Sequence, residues 1–257
     1  MRIDAYLAKS GLAKSRSYAK TLLDEGFVTV NGDVVKKASY DVADGDKVEV
    51  TGAPYSLVSR GGVKLEGALE QFGIDVTDAV CVDIGASSGG FTDCLLKRGA
   101  RKVFAVDSGS GQLDPLLRED KRVVNIENFN ARDLNEETLG EACSVAVTDV
   151  SFISQTLIIP SVKLVLSDGG VFVSLIKPQF ECGRSGLGKG GIVKSKKIMA
   201  EAVKKVTDCA CAEGLGCEKL MRSPICGGDG NTEFLMVCRK GRPKLINDND
   251  IKEVVEQ

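Results

Sequence analysis

The chain has 257 residues, 43% of them apolar, enough for one large or two unequal domains, and its formal charge of −2 leaves any basic surface to be local. Nine cysteines without a histidine argue against zinc chemistry, the close pair Cys209 and Cys211 lacks ligand spacing, and no metal is expected. The odd cysteine number and the lack of a signal-peptide pattern point to the reducing cytoplasm, and no apolar run approaches the ~20 residues of a membrane helix.

Residues 1 to 52 read as a small module. Ile3, Leu7 and Leu12 give a short amphipathic segment. Ser15 suits the N-cap of a second one, with Ala19, Leu22 and Leu23 facing inward and Gly26 as its stop. Phe27 to Val30 is a strand leading into Asn31-Gly32, a strong hairpin signal, and Lys47 to Val50 is a later alternating strand behind Asp44-Gly45. The helical part carries Arg2, Lys9, Lys14, Arg16 and Lys20, whereas Asp41, Asp44, Asp46 and Glu49 gather in the later strands. Such segregation can offer a basic face to RNA phosphates, although charge alone weighs a solvated helix surface equally.

Residues 53 to 60, with Gly52-Ala53-Pro54-Tyr55 breaking the pattern, are a linker, and a larger domain spans 61 to 243. Arg60 and Lys64 flank Gly61-Gly62 ahead of a helix from Glu66 to Phe72. An apolar run, Ala79 to Val82, leads through Asp83 into the small residues Gly85-Ala86-Ser87-Ser88-Gly89-Gly90. Phe91 to Arg98 then has a helical pattern closed by Gly99. Strand, glycine turn and helix make the first unit of a doubly wound α/β sheet, in which ligands bind at the carboxyl ends of the strands. The next strand, Arg101 to Val106, ends in Asp107, where a carboxylate suits the hydroxyls of a ribose. Further strands at Val123 to Ile126, Val145 to Thr148 and Val171 to Ile176 alternate with helices at about Ser154 to Leu166 and Lys196 to Glu213. Cys182 to Gly191 is a glycine-rich loop, Cys217 to Met221 and Glu233 to Val237 close the sheet, and 244 to 257 is a C-terminal tail.

The glycine spacing departs from the dinucleotide pattern G-x-G-x-x-G, because Gly85 is followed by Ser87 and then Gly89 and Gly90. Asp83 and Asp93 put carboxylates near the turn, which repels a pyrophosphate but suits a cationic amino-acid end. S-adenosylmethionine meets that description, and a glycine turn without any ligand is the plainer alternative. Asp149 and Lys177 stand at successive strand tips beside the crevice. Methyl transfer from a sulfonium leaves a neutral thioether, so the difficulty lies in the nucleophile. A ribose hydroxyl is a very weak acid, and a lysine removes its proton only when a second cation or desolvation favours the neutral amine. Lys64 can supply that cation, with Asp149 and Glu233 positioning the pair.

The order of residues carries two resemblances. Arg2-Ile3-Asp4, Ser10-Gly11-Leu12, Ser15-Arg16 and Gly26 to Gly32 resemble the RNA-binding domain of the ribosomal-protein-S-four type. This implies phosphate contacts from Arg2, Lys14, Ser15, Arg16 and Lys20. Ser59 to Leu65, Asp83 to Asp93, Gly111-Gln112-Leu113, Asp149-Val150-Ser151-Phe152, Lys177 to Glu181 and Gly230 to Phe234 resemble the TlyA family. Its members are ribosomal RNA ribose 2′-O-methyltransferases, often called hemolysins, with a catalytic domain of the FtsJ type.

The resemblance implies an α/β fold, with a Rossmann-like class I methyltransferase domain behind a small α+β RNA-binding domain. It implies S-adenosylmethionine as cofactor, cytidines of 16S and/or 23S ribosomal RNA as targets, ribosomal subunits as partners, and no membrane. It places a Lys-Asp-Lys-Glu tetrad on Lys64, Asp149, Lys177 and Glu233, and an RNA contact on Arg60. Cofactor contacts fall on Asp83, Gly85, Ala86, Ser87, Gly89, Gly90, Phe91, Asp107, Asn130 and Asp149. Ser108 departs from the family, which has an apolar or aromatic residue after the acid. Three other readings stay open: a membrane-active cytolysin, a nicotinamide dehydrogenase and a non-catalytic RNA-binding protein. The first lacks a basic amphipathic stretch, the second lacks its glycine fingerprint, and the third sits poorly with an intact tetrad.

Overall fold

Asn31 and Gly32 both adopt the left-handed region, with φ of 53° and 93°, as a two-residue hairpin turn between twisted strands requires. They join β1 (Val28–Val30) to β2 (Asp33–Val34), with Val30 opposite Asp33. The Asn31 side chain donates to Asp46 at 2.8 Å and accepts the Lys47 amide at 2.9 Å, which delivers β3 (Val48–Val50) to the other edge of β1. The computed structural model describes residues 1–13, 15–52 and 57–257, and for Ser17 the backbone only. Lys14 and residues 53–56 of the expected linker lie outside the described residues. The chain divides into two units, Met1–Ser59 and Arg60–Gln257.

In the smaller unit, α1 (Ile3–Lys9) ends before Gly11, whose φ of 76° turns the chain. Leu12 therefore falls beyond the helix and is 39% exposed, contrary to the inward position its spacing predicts, and Ala13 takes the buried place. Helix α2 (Arg16–Asp24) starts where the Ser15 hydroxyl accepts the Tyr18 amide at 3.1 Å. Its inner face, Ala19, Leu22 and Leu23, shares a core with Ile3, Leu7, Val28 and Val30.

The larger unit opens with α3 (Arg60–Phe72), which begins at Arg60 rather than at Glu66, so that Lys64 sits on a helix. Strands β4 (Val80–Ile84), β5 (Lys102–Val106), β6 (Val123–Ile126), β7 (Cys143–Thr148) and β8 (Leu166–Ile176) run parallel to one another. Strands β9 (Leu215–Arg222) and β10 (Phe234–Lys240) complete a seven-stranded sheet ordered β6-β5-β4-β7-β8-β10-β9, with β10 antiparallel to both its neighbours. Helices α4 (Gly90–Lys97), α5 (Pro115–Glu119), α6 (Glu136–Leu139), α7 (Ile159–Val165), α8 (Pro178–Glu181) and α9 (Lys196–Ala212) fill the connections. The strand order reverses between β4 and β7, so the connections leaving their carboxyl ends run to opposite sides and leave a crevice.

The segment 244–257, expected as a tail, is packed. Asn247 and Asp250 form a reciprocal capping box at the start of α10 (Asp248–Glu256), and Ile246, Ile251 and Val255 join the main core. The spacing of Ile251 and Val255, one turn apart, buries one stripe of this helix. Ile251→Ala should therefore lower the stability of the larger unit by about 2–4 kcal/mol, the range for emptying a buried aliphatic site. A urea unfolding curve unchanged by the substitution would mean that the helix contributes nothing to the core.

Candidate active site

The turn after β4 is shaped by close approach. At Gly85, φ is 85°, and a Cβ would stand 2.9 Å from Val150 Cγ1 and 3.0 Å from the Asp149 carbonyl oxygen. Glycine alone lets the ends of β4 and β7 pass so closely. Gly89, with φ of 92°, is equally constrained, since a Cβ there would overlap Leu117 Cδ1. Between them the Ser87 amide donates to Asp107 Oδ2 at 2.7 Å, and the Gly109 amide donates to Asp107 Oδ1 at 2.7 Å. Asp107 is thus fixed by backbone donors, and each oxygen keeps a lone pair for a ligand hydroxyl. Beside it lies a cavity of about 350 Å³ whose lining includes Gly85, Asp107, Gln112, Asn130, Asp149 and Phe152.

Asp83 is fully buried at the base of this turn. Its Oδ2 accepts the Thr92 amide at 2.9 Å and the Thr92 hydroxyl at 2.7 Å, while Oδ1 is buried without a hydrogen-bond partner. Burial pushes its carboxyl up to about 7, the Thr92 bonds oppose that, and the charges of Asp149 and Asp107 add to it. A buried carboxylate oxygen without a donor, next to two further carboxylates, fits a ligand that brings a cation. It is a poor place for a phosphate.

The tetrad residues come from four elements. Phe234 of β10 lies opposite Ile176 of β8, so the preceding Glu233 continues the ladder toward Lys177. Lys64, one turn into α3, reaches Glu233 Oε2 at 2.5 Å, with both side chains buried. Lys177 Nζ lies 2.6 Å from Asp149 Oδ1 and donates to Ser151 Oγ at 2.8 Å. Each lysine therefore meets a carboxylate. Phe152 is 91% exposed with φ of 63°, and its ring centroid lies 5.1 Å from that of Phe180, which in turn lies 5.9 Å from Lys177 Nζ.

Of the expected cofactor residues, Gly85, Ser87, Asp107, Asn130 and Asp149 line the cavity. Asp83, Ala86, Gly89 and Gly90 do not, and they build the turn behind it. Phe91, expected at the cofactor, is buried in the first turn of α4. Ser151, Phe152 and Gln112 belong to the site but were legible only as members of longer motifs. In the smaller unit Arg2, Ser15, Arg16 and Lys20 are exposed. Asp4 gathers two of them: its carboxylate lies 2.8 Å from Arg16 and 3.1 Å from Arg2, and Arg16 foremost holds its carboxyl down at about 2. Arg60 donates to the Cys226 carbonyl at 3.1 Å.

The S4 domain family matches residues 1–48, and the FtsJ-like methyltransferase family matches residues 57–240. Hemolysin A of Brachyspira hyodysenteriae is 46% identical over 242 residues, covering 91% of this chain and 98% of that protein. The 16S/23S rRNA (cytidine-2′-O)-methyltransferase TlyA of Mycobacterium tuberculosis is 38% identical over 257 residues, covering 100% of this chain and 96% of that protein. A solved structure described as a hemolysin from Streptococcus thermophilus has a TM-score of 0.82 at 41% identity, covering 100% of this chain and 94% of that one. Among the described residues no helix is long and apolar enough to cross a membrane, and no group of three or more His, Cys, Asp or Glu could hold a metal ion.

Asp83 generates a pH prediction. Its folded pKa is raised from 3.8 to about 7, so its contribution to stability is fully present below about pH 4 and is lost as pH rises through about 7. A cation bound in the neighbouring cavity favours the ionised form. Binding of S-adenosylhomocysteine near pH 6.5 should therefore release a proton, and Asp83→Asn should abolish that release. Calorimetry in buffers of different ionisation enthalpy measures it, and a binding enthalpy independent of buffer in the wild type would mean that the ligand's charge does not reach Asp83.

Proposed function

We propose, because the chain belongs to the FtsJ-like methyltransferase family and carries an S4 domain, that it transfers a methyl group from S-adenosylmethionine to the ribose 2′-hydroxyl of cytidines in ribosomal RNA. The cytidine-2′-O-methyltransferase activity for which the M. tuberculosis relative is named supports the choice of reaction and base. The observation that carries the reading is Lys177, a buried amine held by Asp149 and Ser151, both of which line the acidic cavity.

The cofactor supplies a methyl on a sulfonium, and the thioether left behind is neutral. In this reading Asp107 holds the ribose hydroxyls, the charge of Asp83 behind the glycine turn favours the ammonium without touching it, and the backbone around Gly85 approaches the cofactor closely. Lys177 Nζ acts as the neutral amine, after its own extra proton has left to solvent, and takes the proton of the RNA 2′-hydroxyl as the methyl transfers. Asp149 and Ser151 aim that amine, and the Lys64–Glu233 pair, at the amino end of β10, holds the adjoining wall. Residues 1–52 bind RNA through Arg2, Ser15, Arg16 and Lys20, with Arg60 as a further contact, and residues 61–243 carry out the chemistry.

Two outcomes test this. Lys177→Ala should abolish single-turnover methylation of ribosomal RNA and leave cofactor affinity nearly unchanged. Lys177→Arg should fail as well, because a guanidinium keeps its proton. Transfer by the Arg variant near the wild-type rate would rule out proton removal by Lys177. For the small unit, Arg16→Gln should weaken RNA binding and reduce the slope of log K against log salt by about 1, the signature of one lost phosphate contact. An unchanged slope would take Arg16 out of the interface.

A further inference from the structure

The segment after β7, Asp149 to Gln155, and the segment after β8, Lys177 to Glu181, touch at three successive levels. Lys177 meets Asp149 and Ser151 at the first, and Phe180 meets Phe152 at the second. At the third, Glu181 Oε2 accepts the Ser154 hydroxyl at 2.5 Å and Oε1 accepts the Gln155 backbone amide at 2.7 Å. The Glu181 side chain is 1% exposed. Burying a carboxylate is costly unless it is paired and hydrogen-bonded. Lys205 of α9 provides the charge, 3.3 Å from Oε2, and donates to the Glu181 carbonyl at 3.1 Å. Gln155 in turn ties the strands together, accepting from the Thr148 hydroxyl at 3.1 Å and donating to the Leu175 carbonyl at 3.1 Å.

None of Ser154, Gln155, Glu181 and Lys205 lines the cavity beside Asp107, although Glu181 and Lys205 border a separate one, so their bonds to one another do not contact a ligand in that crevice. The loop they anchor carries Asp149 and Ser151, the two groups that aim Lys177. It also carries Phe152 at a φ of 63°, a conformation that a bulky side chain keeps only when its surroundings hold it. We propose that Glu181 is a positioning residue for methyl transfer. It clamps the far end of the β7 loop to α8 and thereby sets the placement of Asp149 and Ser151 against Lys177. This rests on the methyltransferase reading above. Without the Glu181 carboxylate the strained loop relaxes, and the amine loses its alignment while the glycine turn and Asp107 keep the cofactor.

The test is single-turnover methylation of ribosomal RNA by wild type, E181A and E181Q, beside S-adenosylhomocysteine affinity and thermal melting. E181A should lose about 100-fold in rate, the cost of a misplacement on the order of an ångström. Its affinity for S-adenosylhomocysteine should stay within about threefold of wild type, which separates positioning from collapse of the site. E181Q is isosteric and keeps an acceptor for the Gln155 amide and a partner for Ser154, so it should retain at least about a third of the rate. A folded E181A at the wild-type rate overturns the proposal. So does E181Q as slow as E181A, or a cofactor affinity that falls in step with the rate. If E181A does not fold, S154A decides, because it cuts the same clamp from the other side: a rate lowered about fivefold or more supports the proposal, and an unchanged rate overturns it. Wild-type protein that transfers no methyl group to ribosomal RNA overturns the enzymatic reading itself, and the clamp with it.

Discussion

Three carboxylates converge where the sheet reverses: Asp83 at the end of β4, Asp107 after β5 and Asp149 after β7. Parallel neighbours bring these strand ends together, so the repulsion is built into the topology. Much of the local structure answers it. The Thr92 amide, at the positive end of α4, supports Asp83, and two loop amides support Asp107. Lys177 answers Asp149. Gly85 is there because the chain leaving β7 at Asp149 and Val150 passes so close that a side chain would separate the two strand ends. What the chain leaves unanswered, the charge on the inner oxygen of Asp83, favours a cationic ligand in the crevice.

Each lysine of the expected tetrad meets an acid, Lys64 with Glu233 and Lys177 with Asp149, as the positioning part expected of the two acids requires. The Lys64–Glu233 pair is buried, and such pairs add little net stability because desolvation offsets attraction. Losing one partner, however, strands the other at a cost of about 3–5 kcal/mol. Gly227 is pressed against the same group, since a Cβ there would stand 2.6 Å from Glu233 Oε1. Such an arrangement fixes geometry at little gain in stability, as a site built for orientation requires.

Local signals in the sequence carried far. Ser15 caps a helix, Asn31-Gly32 makes the hairpin, and the glycine turn sits between a strand and a helix because each depends only on its neighbours. Leu12 failed for a local reason too: Gly11 ends the helical path before the spacing can continue. The C-terminal helix was readable and missed, since Asn247 with Asp250 and the Ile251–Val255 spacing are ordinary start and stripe signals. Partners distant in sequence were not readable. The Lys64–Glu233 bond joins residues 169 positions apart, and Glu181 finds Ser154 across a strand and a helix. Charge type told that such residues sit near the site, and only tertiary packing decided which one each would face.

The acid in the basic helices of the small unit obeys the same logic. A carboxylate beside Arg2 and Arg16 subtracts charge from the surface proposed to meet phosphates, which on net charge alone is a loss. Yet a free arginine gives up much side-chain entropy when it is fixed on a phosphate, on the order of 1.5–2 kcal/mol. Asp4 accepts Nη2 of Arg16 and Nε of Arg2, and each guanidinium has further donors that these contacts leave over. Two cations on one anion leave a net positive site whose forks are already oriented. The carboxyl, held down at about 2, does not switch off at any ordinary pH. For the RNA contact proposed above, holding the two arginines on one acid before binding reduces the entropy that the contact costs.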